Sequence, residues 1–428
     1  MSWLDDYHNI LGGFNLKKQA AKLLIVLLVV SALSIPALAQ KKVLDFLWFS
    51  DGVEGDVLKE IIADYQKIRP DIEINVIETP FQDLRIRLQT MIAGGTPPDL
   101  SRLVNVGDFA PALLDLTPYL GLEYIDDFVP STHRNVIIDG KLMAVPVDVT
   151  ANGVIYNKDH FAQAGIEVPT NPEDVWSWDE FVENLEIVVE KSSARYGLAY
   201  DYTFHRWLTI LYQAGGKLFT DDWTAMAINT PEGERAIEFF VELHDKEIIP
   251  RSIWLGGENP NTLFRAGLTA AHWSGNWMLT NYRDNATHFN WGVMYMPYGK
   301  VRSSVLGGKY VASFKDSNHP EEAVEFIKYF TSTEVNAKFN EESLFISPRL
   351  DNAQLHYDFG ADMFEVFSRE LAVSPPHAGS DWAHPFAGRI GDDLRDIIVE
   401  ALQHKLTPKE AVEKMEQVGN RILDDYMK

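Results

Sequence analysis

Residues 43–49 are mostly apolar and β-favouring, and the run stops at Ser50, Asp51 and Gly52. Val57, Leu58, Ile61, Ile62, Tyr65 and Ile68 then recur at helical spacing until Pro70, which predicts a helix that ends there. Residues 72–77 alternate apolar with polar, the pattern of a strand with one buried face. Strand, helix and strand at this spacing form a right-handed parallel unit. A second helix is predicted over 82–93, closed by Gly94, Gly95, Thr96, Pro97 and Pro98, and residues 99–104 read as a third short strand. The chain therefore starts as an α/β structure with an open parallel sheet. Further along, Ser177 with Glu180, Thr331 with Glu334 and Thr407 with Glu410 have capping-box spacing, and Pro231 and Pro408 suit first helical turns.

At 428 residues the chain exceeds the usual size of one hydrophobic core, which favours two domains. No linker, internal repeat or low-complexity tract divides it, so two domains imply a chain that crosses between them more than once. The net charge of −24 makes nucleic acid a poor partner, because an acidic surface repels phosphate backbones. With no cysteine there is no disulfide, thiolate metal site, thiol nucleophile or lipidated N-terminal cysteine. Lys17, Lys18 and Lys22 precede an apolar run over 23–33 and then Ala37, Leu38 and Ala39, the grammar of an export signal cleaved after Ala39. A retained anchor would need about 20 apolar residues, and Ser31, Ser34 and Pro36 interrupt this run. Met1 to Asn15, with Asp5 and Asp6, sits oddly ahead of the basic stretch and reads as a misassigned start, which N-terminal mass spectrometry of the precursor would test.

Several segments, in order, resemble the family 1 extracellular solute-binding proteins, the sugar-binding subunits of ABC transporters that include maltose-binding protein. They are Phe46-Leu47-Trp48-Phe49-Ser50 with Arg69-Pro70-Asp71; Ala93-Gly94-Gly95-Thr96-Pro97-Pro98-Asp99 with Leu116-Thr117-Pro118; Asp139-Gly140-Lys141 through Pro146, then Ile155-Tyr156-Asn157-Lys158-Asp159 and Trp178-Asp179-Glu180-Phe181; Phe264-Arg265-Ala266-Gly267 with Gly275-Asn276-Trp277; and Gly307-Gly308 with Glu322-Ala323-Val324. The resemblance implies a periplasmic-binding-protein-like α/β fold: two discontinuous lobes, a hinge and a ligand cleft between them. It places 40–148 plus about 292–330 in lobe 1 and 149–291 plus about 331–428 in lobe 2, after a signal over 1–39.

Sugars present hydroxyls around apolar C–H faces, and their receptors combine aromatic platforms with carboxylate, amide and guanidinium groups. Trp48, Ser50 and Asp51 end the first strand, at the carboxyl edge that an open parallel sheet offers to ligands; Trp48 reads equally as core and Asp51 as a helix N-cap. Arg102 and Asn105 follow the third strand at the same edge, or form a surface ion pair. Asp148 and Thr150 lie at the suspected hinge, where the family sometimes has an acid at the place of Thr150. His205, with Arg206 and Trp207 beside it, is a rim candidate or part of an amphipathic helix. His272-Trp273-Ser274-Gly275-Asn276-Trp277 is the strongest candidate, since glycine beside two indoles permits close approach of a stacked ring. Gly308 offers backbone groups or a simple turn, and Trp382 and Arg389 bring a further aromatic and charge late in the chain.

The expected function is capture of a carbohydrate, best an oligosaccharide, in the cleft and delivery to a membrane permease, by a monomer held outside the cytoplasm in the periplasm or at the cell surface. Alternatives are an exported glycoside hydrolase, which needs two acids about 5–10 Å apart, and a receptor for a non-sugar solute. No phosphate loop, nucleophile elbow or zinc helix is present, and no cofactor or metal is expected.

Overall fold

The computed structural model describes residues 41–384 and 386–427. The export-signal reading falls on residues outside this range. Among the described residues no helix is long and apolar enough to cross a membrane.

Strands β1 (Lys42–Trp48) and β2 (Ile72–Glu78) pair in parallel around the helix Glu54–Ile68, and β3 (Leu100–Leu103) pairs in parallel with the other edge of β1. A small hairpin, β4 (Ile137–Ile138) and β5 (Lys141–Leu142), precedes the 13-residue strand β6 (Val145–Asn157). Then come β7 (Tyr196–Tyr200), β8 (Thr269–Gly275), β9 (Trp291–Met294) and β10 (Leu306–Ser313). The order is β2-β1-β3-β10-β6-β8-β7, with β9 also on β6. Only β1 with its neighbours and β7 with β8 are parallel, because β10 runs antiparallel to both β3 and β6. The sheet is thus mixed, and the parallel pattern at the chain's start does not extend across it.

Every residue of β6 is buried. Its first half, to Ala151, pairs with β10, and its second half, from Asn152, pairs with β8 and β9. One strand therefore belongs to two bodies. The first has a core of residues from 44–147 and 310–339, including Phe46, Trp48, Phe326 and Phe339. The second has a core from 154–306 and 378–423, including Trp207, Trp273, Phe240 and Leu394. These bodies are the two lobes.

The chain changes lobes later than the sequence suggests. The return expected at about 292 falls on β9, which pairs with β6 and contributes Met294 to the second core; the crossing is made by β10. The exit expected at about 331 also comes later, since Phe339 still packs in the first core. Leu344 is the first residue to join a separate cluster with Ala151, Leu279 and Phe367.

The caps show how local chemistry sets these boundaries. Ser177 and Glu180 form a reciprocal capping box, and Thr407 and Glu410 exchange the same pair of bonds, 3.3 and 2.8 Å. Thr331 does not cap. Its hydroxyl donates back to the Ile327 carbonyl (2.7 Å) at the end of the preceding helix, and the next helix starts at Thr333.

Where β6 meets β10 the register slips by one between Lys309 and Tyr310, leaving Val147 as the extra residue of a bulge. Its freed carbonyl is claimed by the buried amides of Asn336 (2.9 Å) and Asn340 (3.0 Å), so the irregularity leaves no orphaned acceptor there. In the second lobe Glu370 is fully buried, accepting from Arg302 (2.9 Å) and from the Met296 N–H (3.1 Å). Burial pushes its carboxyl up to about 7, against the pull of Arg302. The folded protein thus keeps this proton where the unfolded chain has released it, and stability contributed here falls as pH rises from about 4.5 to about 7. Glu370→Gln is expected to flatten the decline in melting temperature across that window.

Candidate ligand-binding cleft

The cleft is built where β6 and β10 cross between lobes. Lys309 stands opposite Asp148, Gly308 opposite Val149 and Gly307 opposite Thr150. A Cβ at Gly308 would lie 2.7 Å from the Asp148 carbonyl oxygen, and one at Gly307 would lie 2.9 Å from the Thr150 hydroxyl and 3.5 Å from the His205 ring. Both glycines are therefore required by close packing of the two strands with each other and with His205.

Lys309 organises the first-lobe side. Its Nζ lies 3.7 Å from Asp51 and 3.7 Å from Asp148, 4.3 Å from the Phe345 ring and 5.9 Å from the Trp277 ring. Beneath it Arg102 is fully buried. Its guanidinium donates to the Phe49 carbonyl (2.7 Å), Glu54 (3.0 Å) and Asp148 (3.1 Å) and lies across Trp48 and Phe49 at about 4.5 Å. Glu54 also accepts from the backbone N–H groups of Asp51 (2.5 Å) and Gly52 (2.8 Å). Burial alone would raise the Glu54 pKa, but Arg102 and the Asp51 N–H outweigh it and hold it low. Asp51, a partly exposed carboxylate, is shifted the other way: burial raises it more than Lys309 lowers it.

On the second-lobe side, Trp277 is half-buried, and the Arg206 guanidinium lies 4.4 Å from its ring centroid. Arg206 is held by Asn152 and by Asp201 (3.4 Å), and Asp201 also accepts from His272 Nε2 (2.9 Å). His272 is bonded in turn to Tyr282, so a polar chain of four side chains fixes the cation over the indole. A Cβ at Gly275 would run into that indole, and one at Gly52 into the Thr280 hydroxyl, so the 51–52 turn of the first lobe meets the 277–280 segment of the second.

Several sequence candidates take other roles. Trp48 is fully buried, edge-on to Phe46, Phe330 and Phe339, with its N–H donated to Ser50 Oγ (3.2 Å); Trp273 is fully buried between Phe181 and Tyr200. Both are core residues, because strand alternation turns them inward. Arg102 makes a buried ion-pair network and has no surface left for a guest; Asp148 shares that burial. Asp51 does not cap the helix: that position is Val53, and the turn is held by Glu54. Asn276 is buried, accepting from the Ala151 N–H (3.0 Å). Asn105 donates across the cleft to the carbonyls of Trp382 (3.1 Å) and His384 (3.3 Å). His205 packs on the half-buried Trp382, centroids 4.4 Å apart. Arg389 is exposed on the helix Ala387–Leu402, where its charge acts on Asp108.

Where the lobes meet, Lys309 thus lies near Asp51 and Trp277, and His205 lies near Gly307 and Trp382, while Thr150 and Gly308 are buried in the crossing strands. Sequence reasoning did not single out Lys309, Phe345, Glu54 or Asp201. Lys309 directly follows Gly307-Gly308, the one signal that pointed to it.

Residues 50–337 match the family model of bacterial extracellular solute-binding proteins. The chain belongs to that family. The arabinooligosaccharide-binding protein of Halalkalibacterium halodurans is 23% identical over 404 residues, covering 86% of this chain and 87% of its own. The maltotriose-binding protein of Pyrococcus abyssi is 24% identical over 362 residues, covering 80% and 75%. Among solved structures, an ABC substrate-binding protein from Listeria monocytogenes in complex with cycloalternan superposes with a TM-score of 0.79 at 24% identity, covering 90% of this chain and 99% of that one. The fold is therefore that of the two-lobed periplasmic binding proteins, and the family is one of solute receptors rather than enzymes.

Proposed function

We propose that this protein is the exported receptor of an ABC importer, working in the periplasm or at the cell surface, and that it closes around an oligosaccharide and presents it to the permease. The observation that carries this reading is Trp277, a half-buried indole at the meeting of the lobes, flanked by Arg206 and by Lys309, which is paired with Asp51. An indole face suits the C–H side of a pyranose, and the surrounding ions and amides suit its hydroxyls. Relatives named for arabino-oligosaccharides and maltotriose support a ligand of several rings. A hydrolase would need two accessible acids, whereas Asp148 is fully buried against Arg102.

A panel of mono- and oligosaccharides, with maltotriose and arabino-oligosaccharides included, tests the reading by thermal shift, because a guest bound by the folded form raises its melting temperature. For the sugar that binds, Trp277→Ala is expected to raise Kd about tenfold, the scale of a lost aromatic contact, as measured by titration calorimetry. A panel without any shift, or unchanged affinity in the variant, would reject it.

A further inference from the structure

Away from the crossing strands, the outer rim of the groove holds a contact of a different kind. Arg134 lies on the short helix His133–Val136, whose Val136 packs in the first core. Its guanidinium sits 3.4 Å from the ring centroid of Trp223, which packs against the second core. Trp223 has φ of 61°, a left-handed conformation that a bulky residue seldom adopts. The turn that imposes it is closed by its own bonds. The Trp223 N–H donates to the Thr220 carbonyl (2.9 Å), and Asp222 accepts from the hydroxyls of Thr220 (2.6 Å) and Thr224 (2.8 Å). The Trp223 carbonyl is tied to His384 Nε2 (3.2 Å), and His384 belongs to the segment whose carbonyls Asn105 reaches from the first lobe. A strained aromatic tip is thus braced on one lobe and covered by a cation from the other. Strain of this kind persists where the surroundings over-determine it, often at clamps.

We infer that Arg134 and Trp223 form a rim latch: a pair of positioning residues that favours the closed arrangement of the lobes and slows release of the guest, without touching it. This rests on the receptor reading for its consequence, though the latch can be tested apart from it. Arg134 keeps an exposed side, so removing it leaves no buried orphan. The chain has no cysteine, so two introduced ones can be labelled cleanly. Lys67 in the first lobe and Lys409 in the second are both exposed, with 76% and 68% of the side chain open.

Pulsed dipolar spectroscopy between nitroxides at Lys67→Cys and Lys409→Cys would report the lobe separation in buffer, in maltotriose and in an arabino-oligosaccharide mixture. The short-distance population is expected to shrink in Arg134→Ala and in Trp223→Gly, the latter chosen because glycine accepts this φ. Arg134→Lys, which retains a cation for the ring, should keep most of it. Kd for the sugar that binds should rise about two- to fivefold in Arg134→Ala, mainly through faster dissociation, on the scale of an exposed cation–π contact, with the melting temperature in buffer unchanged. A short-distance population that is the same in Arg134→Ala, or one that the unsubstituted protein never shows, overturns the latch. Sugar binding that ignores Arg134 would sink the latch and leave the receptor reading. Arg134-dependent distances without any sugar binding would do the reverse.

Discussion

Arg102→Met is expected to destabilise the protein by about 3–5 kcal/mol, the cost of breaking a buried ion pair from one side. Three acceptors lose their donor at once: Glu54, Asp148 and the Phe49 carbonyl. Lys309, 3.7 Å from both Asp51 and Asp148, would then be left to balance them. The loss should be largest at neutral pH. Glu54 is held low in the folded state mainly by Arg102, so its stabilising contribution is present above the ordinary carboxylate range and disappears as pH falls through the depressed value. Urea unfolding followed by tryptophan fluorescence measures the effect, and adding Glu54→Gln with Asp148→Asn should recover part of it, since neutral partners no longer need the cation. A loss under about 1 kcal/mol would mean that the network is not the keystone of the 49–54 turn.

Trp273→Ala should cost about 3–5 kcal/mol of stability, the range for emptying a buried tryptophan site. Its ring is fully buried, with Phe181 of the helix Trp178–Lys191 and Tyr200 of β7 at 6.0 and 5.6 Å. Sugar affinity, measured where the variant remains folded, should stay within a factor of about two, because no face of this indole reaches the groove. Trp277, four residues later and past the end of β8, is expected to show the opposite profile. The end of β8 at Gly275 decides the matter, since Trp277 lies in the turn beyond it, and a matching pair of profiles would show that it does not.

That pair also shows where the sequence was readable. The first strands and helices stood out through apolar spacing and Pro70, and each observed boundary lies within a residue or two of the pattern. The motif around Gly275 pointed to the right segment, but both indoles look alike in one dimension. Only the end of β8 at Gly275 separates the inward ring from the half-buried one. Arg102 was harder still: a guanidinium after a strand resembles a ligand arm until Glu54 and Asp148 are seen to enclose it from residues far away in the chain. Lys309 carries no local signal beyond the two glycines before it, because the bulge at Val147 that accompanies its placement depends on Asn336 and Asn340. Lobe boundaries were misplaced for a similar reason. β9 and β10 are both short apolar segments, and their assignment is made by the strand they meet rather than by their composition.

The sharing of β6 has a bearing on how the polypeptide acquires its shape. The sheet begun at Lys42 is not completed until β10, which starts at Leu306, has been made. The amino-terminal body must therefore wait, with the edge of β3 uncovered, until the part of the second body that precedes β10 has been made. Such distant pairings make for slow assembly, and the waiting edge is open to intermolecular strand addition. Cutting the gene between the two bodies cannot yield an independently maturing amino-terminal fragment, since its central strand arrives from beyond the cut.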